Sequence, residues 1–313
     1  MTERLTTRPL GTPDLDVVVA IDRERCGRAR REFYARRMAG LAEEPGGGVA
    51  VVAERSGRVA GFAFARVLDG EFGGKAPVGV IDAIGVHTKA LHQGVATGVL
   101  QALEHELAGR GARELRTQVE WTDLGLAAFF ARAGFRLAPR LVLERTLERL
   151  PADDETAGDE LPVRSMTERD LKAIVRLDRK VTRRDRSAYY ARKLAEALRG
   201  SAIRMALVAE QGGRLTGFLM ARVELGEFGR TDPTAVLDTI AVDPDDRGEG
   251  IGRALLEQLL LNLEGLRAER VVTEADWREI PLLAFLARTG FSNSQRLAFV
   301  RPIAGVAGQR PGP

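Results

Sequence analysis

The chain repeats itself. Shifted by 156 residues, its two halves align without a gap: Arg8 meets Arg164, Asp22 meets Asp178, and Tyr34-Ala35-Arg36 meets Tyr190-Ala191-Arg192. Further along, Gly61-Phe62 meets Gly217-Phe218, Gly70-Glu71-Phe72-Gly73 meets Gly226-Glu227-Phe228-Gly229, Asp82 meets Asp238, Trp121 meets Trp277, and Gly134-Phe135 meets Gly290-Phe291. One fixed offset over so many positions marks a tandem duplication. The period far exceeds that of solenoid repeats, so each copy is expected to be a domain that buries its own core. The expected organisation is an N-terminal domain over residues 1–150, an acidic linker over 151–162 (PADDETAGDELP), a C-terminal domain over 163–303 and a disordered Gly/Pro-rich tail over 304–313.

Within the second copy, Leu161–Ser165 reads as a strand, with Thr167 and Asp170 as a variant capping box for a helix over 168–181. A second helix covers 186–199. Ile203–Glu210 alternates as a strand, Gln211-Gly212-Gly213-Arg214 turns a hairpin, and Leu215–Leu225 and Ala235–Val242 are the next strands. A helix runs from Gly252 to Glu264, then a strand over Val271–Glu274, a helix opened by Pro281 and ended near Arg288, and a last strand over Phe291–Arg301. The hairpins imply antiparallel pairing and the strand–helix–strand over 235–275 one parallel crossover. The expected fold class is α/β: two tandem domains, each a mixed, largely antiparallel twisted sheet flanked by helices.

The richest chemistry lies in VLDTIAVDPDDRGEGIGRALLEQLL, Val236–Leu260. A buried strand leads through a polar loop to glycines 248, 250 and 252, where a ligand can approach the backbone closely. The helix that follows directs unpaired N–H groups and its positive dipole end at the same place, which makes an anion site suited to phosphate or pyrophosphate. Arg247 and Arg253 flank it. The bland alternative is a glycine-rich strand-to-helix turn without a ligand. Asp243–Asp246 separate strand from glycines, and the spacing is G-x-G-x-G, which departs from a dinucleotide fingerprint. No phosphate-loop motif occurs, no His/Cys/Asp cluster has metal spacing, and the second copy has neither His nor Cys for nucleophilic triads. A net charge of +3 is too small to argue for nucleic acid, no apolar run approaches the ~18 residues that span a membrane, and a single cysteine fits a reducing cytoplasm.

The run I-A-V-D-P-x-x-R-x-x-G-x-G-R, Ile240–Arg253, resembles the acetyl-CoA signature of the GNAT N-acetyltransferase superfamily, whose Gln/Arg-x-x-Gly-x-Gly/Ala core is matched by Arg247, Gly250 and Gly252. Strand and helix order in both copies, and the Gly-Phe ending each, extend the resemblance. It implies acetyl-CoA as acetyl donor. The backbone of Ile240, Ala241 and Val242 would hold the acetyl carbonyl and pantetheine arm, and Arg247, Gly248, Gly250, Ile251, Gly252 and Arg253 would wrap the pyrophosphate. The acceptor implied is a primary amine, on a small molecule or a protein N-terminus.

A lysine-like amine has a pKa of ~10.4 and is about one part in a thousand neutral at pH 7, so a base helps. Glu274 falls where related N-terminal amine acetyltransferases carry a glutamate base; it reads equally as a solvated strand end. Asp238 lies inside an apolar strand, on the face of Ile240 and Val242 by the two-residue period, and reads equally as base or structural anchor. The family's tyrosine general acid is replaced by Leu286 here and Phe130 in the first copy. Trp121 and Trp277 are expected to pack in a core or interface. The first copy has Leu91 for Arg247, Thr97 for Arg253 and Gln118 for Glu274. The sequence therefore predicts an acetyl-CoA-dependent N-acetyltransferase with its working site in the C-terminal copy and a degenerate N-terminal copy. The alternative is a non-catalytic acyl-CoA-binding or scaffold protein.

Overall fold

A computed structural model describes residues 4–69, 76–147, 161–198, 204–225, 233–266 and 268–303. The loops Gly70–Pro77 and Gly226–Pro233, expected to border an acceptor pocket, the linker and the tail fall almost wholly outside the described residues. The first repeat contributes β1 (Thr6–Pro9), α1 (Leu15–Cys26), α2 (Arg31–Glu43), β2 (Gly48–Arg55), β3 (Arg58–Leu68), β4 (Val78–Val86), α3 (Val95–Gly109), β5 (Glu114–Glu120), α4 (Leu124–Arg132), β6 (Arg136–Leu137) and β7 (Arg140–Thr146). The second contributes β8 (Val163–Ser165), α5 (Leu171–Thr182), α6 (Ser187–Leu198), β9 (Arg204–Gln211), β10 (Arg214–Leu225), β11 (Pro233–Val242), α7 (Ile251–Glu264), β12 (Arg270–Asp276), α8 (Ile280–Arg288), β13 (Ser292–Asn293) and β14 (Arg296–Pro302).

These elements form two seven-stranded mixed sheets, ordered β1-β2-β3-β4-β5-β14-β6 and β13-β7-β12-β11-β10-β9-β8. All pairings are antiparallel except β4 with β5 and β11 with β12, the parallel crossover that the sequence pattern implies. In the first unit α3 and α4 pack on one face of the sheet and α1 and α2 on the other. In the second, α7 and α8 cover one face and α5 and α6 the other. The β9–β10 turn has Gly212 at φ 56° and Gly213 at φ 72°, the paired positive angles of a tight hairpin that only glycine adopts freely.

The closing strands depart from the sequence expectation. Phe291–Arg301 is not one strand. β13 pairs with β7 in the second sheet, whereas β14 pairs with β5 in the first, Arg296 opposite Glu120 through Pro302 opposite Glu114. Reciprocally β7, at the end of the first repeat, pairs with β12, Arg140 opposite Asp276 through Thr146 opposite Arg270. Among the described residues, one compact unit accordingly takes everything up to 138 together with 295–303, and the other everything from 139 to 294. The repeat of the sequence thus does not coincide with the compact unit, and the contiguous ranges 1–150 and 163–303 differ from these units by one exchanged strand each. The sequence could not choose, because RLVLERT in β7 and RLAFVRP in β14 present similar side chains to either neighbour.

Ion pairs on buried aspartates recur in both units. Asp14 accepts two hydrogen bonds from Arg8 at 2.7 and 2.8 Å, and Asp170 two from Arg164 at 2.8 and 2.9 Å. Asp170 also accepts from the Thr167 amide at 2.7 Å, realising the expected cap. Asp22 and Asp178 are held by Arg30 and Arg186 beneath the buried Tyr34 and Tyr190. The helix of the second repeat begins as a short 3-10 turn over Glu168–Asp170, so α5 proper starts three residues later than the pattern suggests.

Two outcomes follow. Phe299 is buried against Phe130 in the core of the first unit, so Phe299→Ala, though in the second repeat's sequence, should destabilise that first unit by about 3 kcal/mol. Hydrogen exchange should show faster opening of β2–β5 with β9–β12 unchanged; acceleration confined to the second unit would contradict the exchange. The Arg164 guanidinium holds the Asp170 carboxyl at about 2, below its ordinary value, against the opposing effect of burial. Because the folded value is depressed, this stabilisation is full above the unfolded value of ~3.9 and is lost as pH falls through about 2. Arg164→Gln should therefore raise the acid-unfolding midpoint of the second unit, read by circular dichroism from pH 5 to 1.5.

Candidate functional site

The site of the second unit begins where two parallel strands part. β11 and β12 pair only at Thr234–Arg270, Ala235–Val271 and Val236–Val272. Just beyond, the Thr273 hydroxyl donates to the Leu237 carbonyl at 2.9 Å. Among the described residues no ladder continues past that point, so β11 keeps one edge bonded to β10 and opens the other. The break coincides with a β-bulge: Met220 faces Thr239 and Ala221 faces Leu237, which leaves Asp238 as the extra residue. A bulge bends its strand and ends regular pairing.

The bulge also corrects the face assigned to Asp238. Leu237 and Ile240, three positions apart, both pack into the cluster built on α7, with Val242, while Ala241 is buried in the cluster with α5 and α6. Strict alternation is interrupted at Asp238, which does not simply share the face of Ile240 and Val242. Its buried carboxylate is ion-paired with Arg222 of β10. The first unit repeats the arrangement: Asp82 is the extra residue opposite Phe64 and Ala65, and Arg66 donates to it at 2.8 and 2.9 Å.

Beyond β11 the chain turns through a short 3-10 segment, Pro244–Asp246, into the glycine loop. Gly248 and Gly250 have φ of 90° and 80°, and Gly250 caps α7. A side chain at either position would strain the backbone by about 1 kcal/mol or more. Gly252 allows a close approach instead, since a Cβ there would lie 3.3 Å from Phe285 and 3.5 Å from Val242. The helix start is seated on β10, where a Cβ on Gly217 would come within 2.7 Å of Ile251. Arg247 is exposed and has no ion-pair partner among the described residues. Arg253 holds Glu257 one turn along α7 at 2.6 Å, in a solvent-exposed and therefore weak pair, easily exchanged for a ligand.

Three aspartates next to one another ahead of the glycine loop look unfavourable in sequence, and tertiary contacts resolve this. Lys180 of α5 engages Asp243 and, at 2.6 Å, Asp245; Arg214 holds both oxygens of Asp246 at 2.7 and 2.8 Å. Burial disfavours the charged form of Asp243, but Lys180 and the Asp245 amide more than offset this and its carboxyl lies below the ordinary range. Lys180 and Arg214 were not found from the sequence. One signal existed: where the second repeat pairs Lys180 with Asp243, the first places Glu24 3.5 Å from His87, the acidic and basic side chains exchanged between positions.

Glu274 lies on β12 two residues past the last paired position, as Asp238 does on β11. Its side chain is 14% exposed, and Oε2 is buried 3.4 Å from the Arg140 guanidinium of β7, which also donates to the Glu274 carbonyl at 3.3 Å. Leu286 and Phe130, at the positions of the family's tyrosine, are core residues. The Tyr190 hydroxyl is bound to Asp178 at 2.9 Å and its ionisation is pushed far up by burial. Trp121 and Trp277 are not in the cores; they are 53% and 51% exposed. In the first unit, Leu91 packs against the core where Arg247 stands in the second, and His92 takes φ 60° where the second has Gly248.

The family model for the Acetyltransferase (GNAT) family matches residues 18–135 and again 171–291. Among solved structures, a tandem GNAT protein from the clavulanic acid biosynthesis pathway is 20% identical, with TM-score 0.65, over 97% of this chain and 100% of that one. A GCN5-related N-acetyltransferase from Sphaerobacter thermophilus is 19% identical, with TM-score 0.64, over 98% and 96%. The glucosamine N-acetyltransferase region of a fungal multi-domain GH3 β-N-acetylglucosaminidase is 16% identical, with TM-score 0.67, over 96% of this chain; the chain spans only 38% of that longer protein. At these identities the likeness is one of fold. No curated protein is matched. Among the described residues, no helix is long and apolar enough to cross a membrane. With its two cleft-bearing sheets and both repeats matched by the same model, the chain belongs to the acetyltransferase (GNAT) family, whose domain it carries twice.

Proposed function

We propose that the protein transfers an acetyl group from acetyl-CoA to a primary amine, on a small molecule or a protein N-terminus, and that the second unit does the work. The observation that carries this reading is the conjunction of an open β11 edge, a glycine-turned start of α7 and an Arg247 without an ion-pair partner among the described residues, all in one unit. The open backbone of Ile240–Val242 suits the amides of a pantetheine arm, which would lie alongside it as an added strand. The α7 amides from Gly250 to Gly252, with Arg247 and a released Arg253, suit a pyrophosphate. The first unit lacks that conjunction, since Leu91 is packed inward and Thr97 carries no charge.

Acetyl-CoA supplies a thioester carbonyl that an amine can attack. In this reading Glu274 accepts the amine proton, directly or through water, as the N–C bond forms and the C–S bond breaks. The leaving sulfur takes its proton from water, since Leu286 offers none. Asp238 serves as the ion-paired anchor of the bulge, a role supported by its recurrence as Asp82 with Arg66 in the unit that lacks the cofactor charges. The second reading, an acyl-CoA-binding scaffold, is favoured by the absence of a side-chain acid at Leu286.

Calorimetry with acetyl-CoA separates these readings. Arg247→Ala should weaken binding about tenfold, the value of one charge-assisted contact. Gly250→Trp should abolish binding, and Gly94→Trp, at the matched helix start of the first unit, should leave it intact; loss with Gly94→Trp alone would move the site to the first unit. Thiol release from acetyl-CoA should then be followed across polyamines, amino acids, amino sugars and short peptides. Glu274→Gln should lower kcat about 100-fold with KM for acetyl-CoA unchanged. Binding without thiol release from any acceptor would favour the scaffold.

A further inference from the structure

The reading of Glu274 as base leaves open what holds it. Resting on that reading, we infer that Arg140, carried into the second unit on the exchanged strand β7, is the positioning residue that orients the Glu274 carboxylate toward the cleft. The second repeat therefore depends on the first for a residue of its own site.

Arg140 touches Glu274 twice. Its Nε lies 3.4 Å from Oε2, and its Nη2 donates to the Glu274 backbone carbonyl at 3.3 Å. Both side chains are largely enclosed, 18% and 14% exposed, and Oε2 and Nε are themselves buried. Contact with both the carboxylate and the carbonyl of one residue fixes a side chain relative to its own strand, which a point charge elsewhere would not do. A planar guanidinium with several fixed donors is suited to this.

The first unit supplies an internal comparison. Arg296 of β14 stands at the position of Arg140, exchanged in the same way and opposite the same point of the neighbouring strand. There Glu274 is replaced by Gln118, and Arg296 donates to Glu120 at 2.9 Å. Glu120 matches Asp276. In the second unit Arg278 donates to the two oxygens of Asp276 at 2.9 and 2.7 Å, and Arg140, whose charge also acts on Asp276, touches Glu274. The arginine is thus common to both units, but only the second unit offers it a carboxylate at this position of the cleft.

The test uses the full chain with Arg140→Gln, Arg140→Lys, Glu274→Gln, the double variant Arg140→Gln/Glu274→Gln, and Arg296→Gln. Thiol release is read with acetyl-CoA and the fastest amine of the panel above. Arg140→Gln should lower kcat about tenfold while KM and the calorimetric Kd for acetyl-CoA stay within about twofold. Arg140→Lys should recover part of that loss, and Arg296→Gln should leave kcat within about twofold. Adding Arg140→Gln to Glu274→Gln should cost nothing more, since the arginine acts only through the glutamate. In the ligand-free protein the double variant should melt a few degrees above Arg140→Gln alone, because removing one partner of a buried pair strands the other's charge. If Glu274→Gln is inactive but Arg140→Gln keeps wild-type kcat, or multiplies the defect in the double variant, the positioning role is overturned. If Glu274→Gln is itself fully active, the base assignment fails instead. Equal melting of the single and double variants would overturn the pairing whatever the activity.

Discussion

The separation of β11 from β12 is the constraint on which the second unit is organised. A parallel pair that continued to Val242 would satisfy its backbone internally and present no edge to a ligand. Pairing stops at Val236–Val272, where an extra residue enters β11 and its carboxylate is bound by Arg222. An unpaired carboxylate in that strand would be costly to bury, so bulge and arginine are needed together. The opened strand leads directly into the glycine loop, and the loop into the start of α7. Cleft and helix terminus are consequently one continuous construction.

The same construction exists in the first unit, down to Asp82, Arg66 and the Thr117 hydroxyl bonded to the Ile81 carbonyl at 3.0 Å. What differs is charge at the cleft. The first unit has Leu91, Thr97 and Gln118 where the second has Arg247, Arg253 and Glu274. This contrast separates residues common to both units from residues confined to one, without any second sequence. Residues retained in both units, such as Arg164–Asp170 and Arg186–Asp178, are framework. Those confined to one are the ones on which the proposed acetyl transfer rests.

Much of the site was legible in the sequence because it is local. Strand, loop, glycines and helix follow one another within 25 residues, and each signal has a short-range cause. The partners that tune the site were not legible, because they come from elsewhere in the chain. Lys180 and Arg214 neutralise the Asp243–Asp246 loop from α5 and β10, and Arg140 reaches Glu274 from the first repeat. Periodicity also misled at Asp238, since a bulge is a property of two paired strands and leaves no mark on one of them. The two tryptophans, assigned to packing by their size, stand half-exposed at the ends of β5 and β12.

By itself the sequence determined that this protein is a duplication, that it contains mixed sheets flanked by helices, and that one strand-to-helix turn carries glycines and arginines in the pattern of an anion site. Those conclusions depend on periodicity and turn chemistry, which act over a few residues or recur at a fixed offset. Only the tertiary structure decided which sheet receives β7 and β14, where β11 leaves β12, and which cation meets each buried acid. Two similar strands offer the same hydrogen bonds and nearly the same side chains to either sheet, so nothing local distinguishes the pairings. The choice is made by how the whole chain closes.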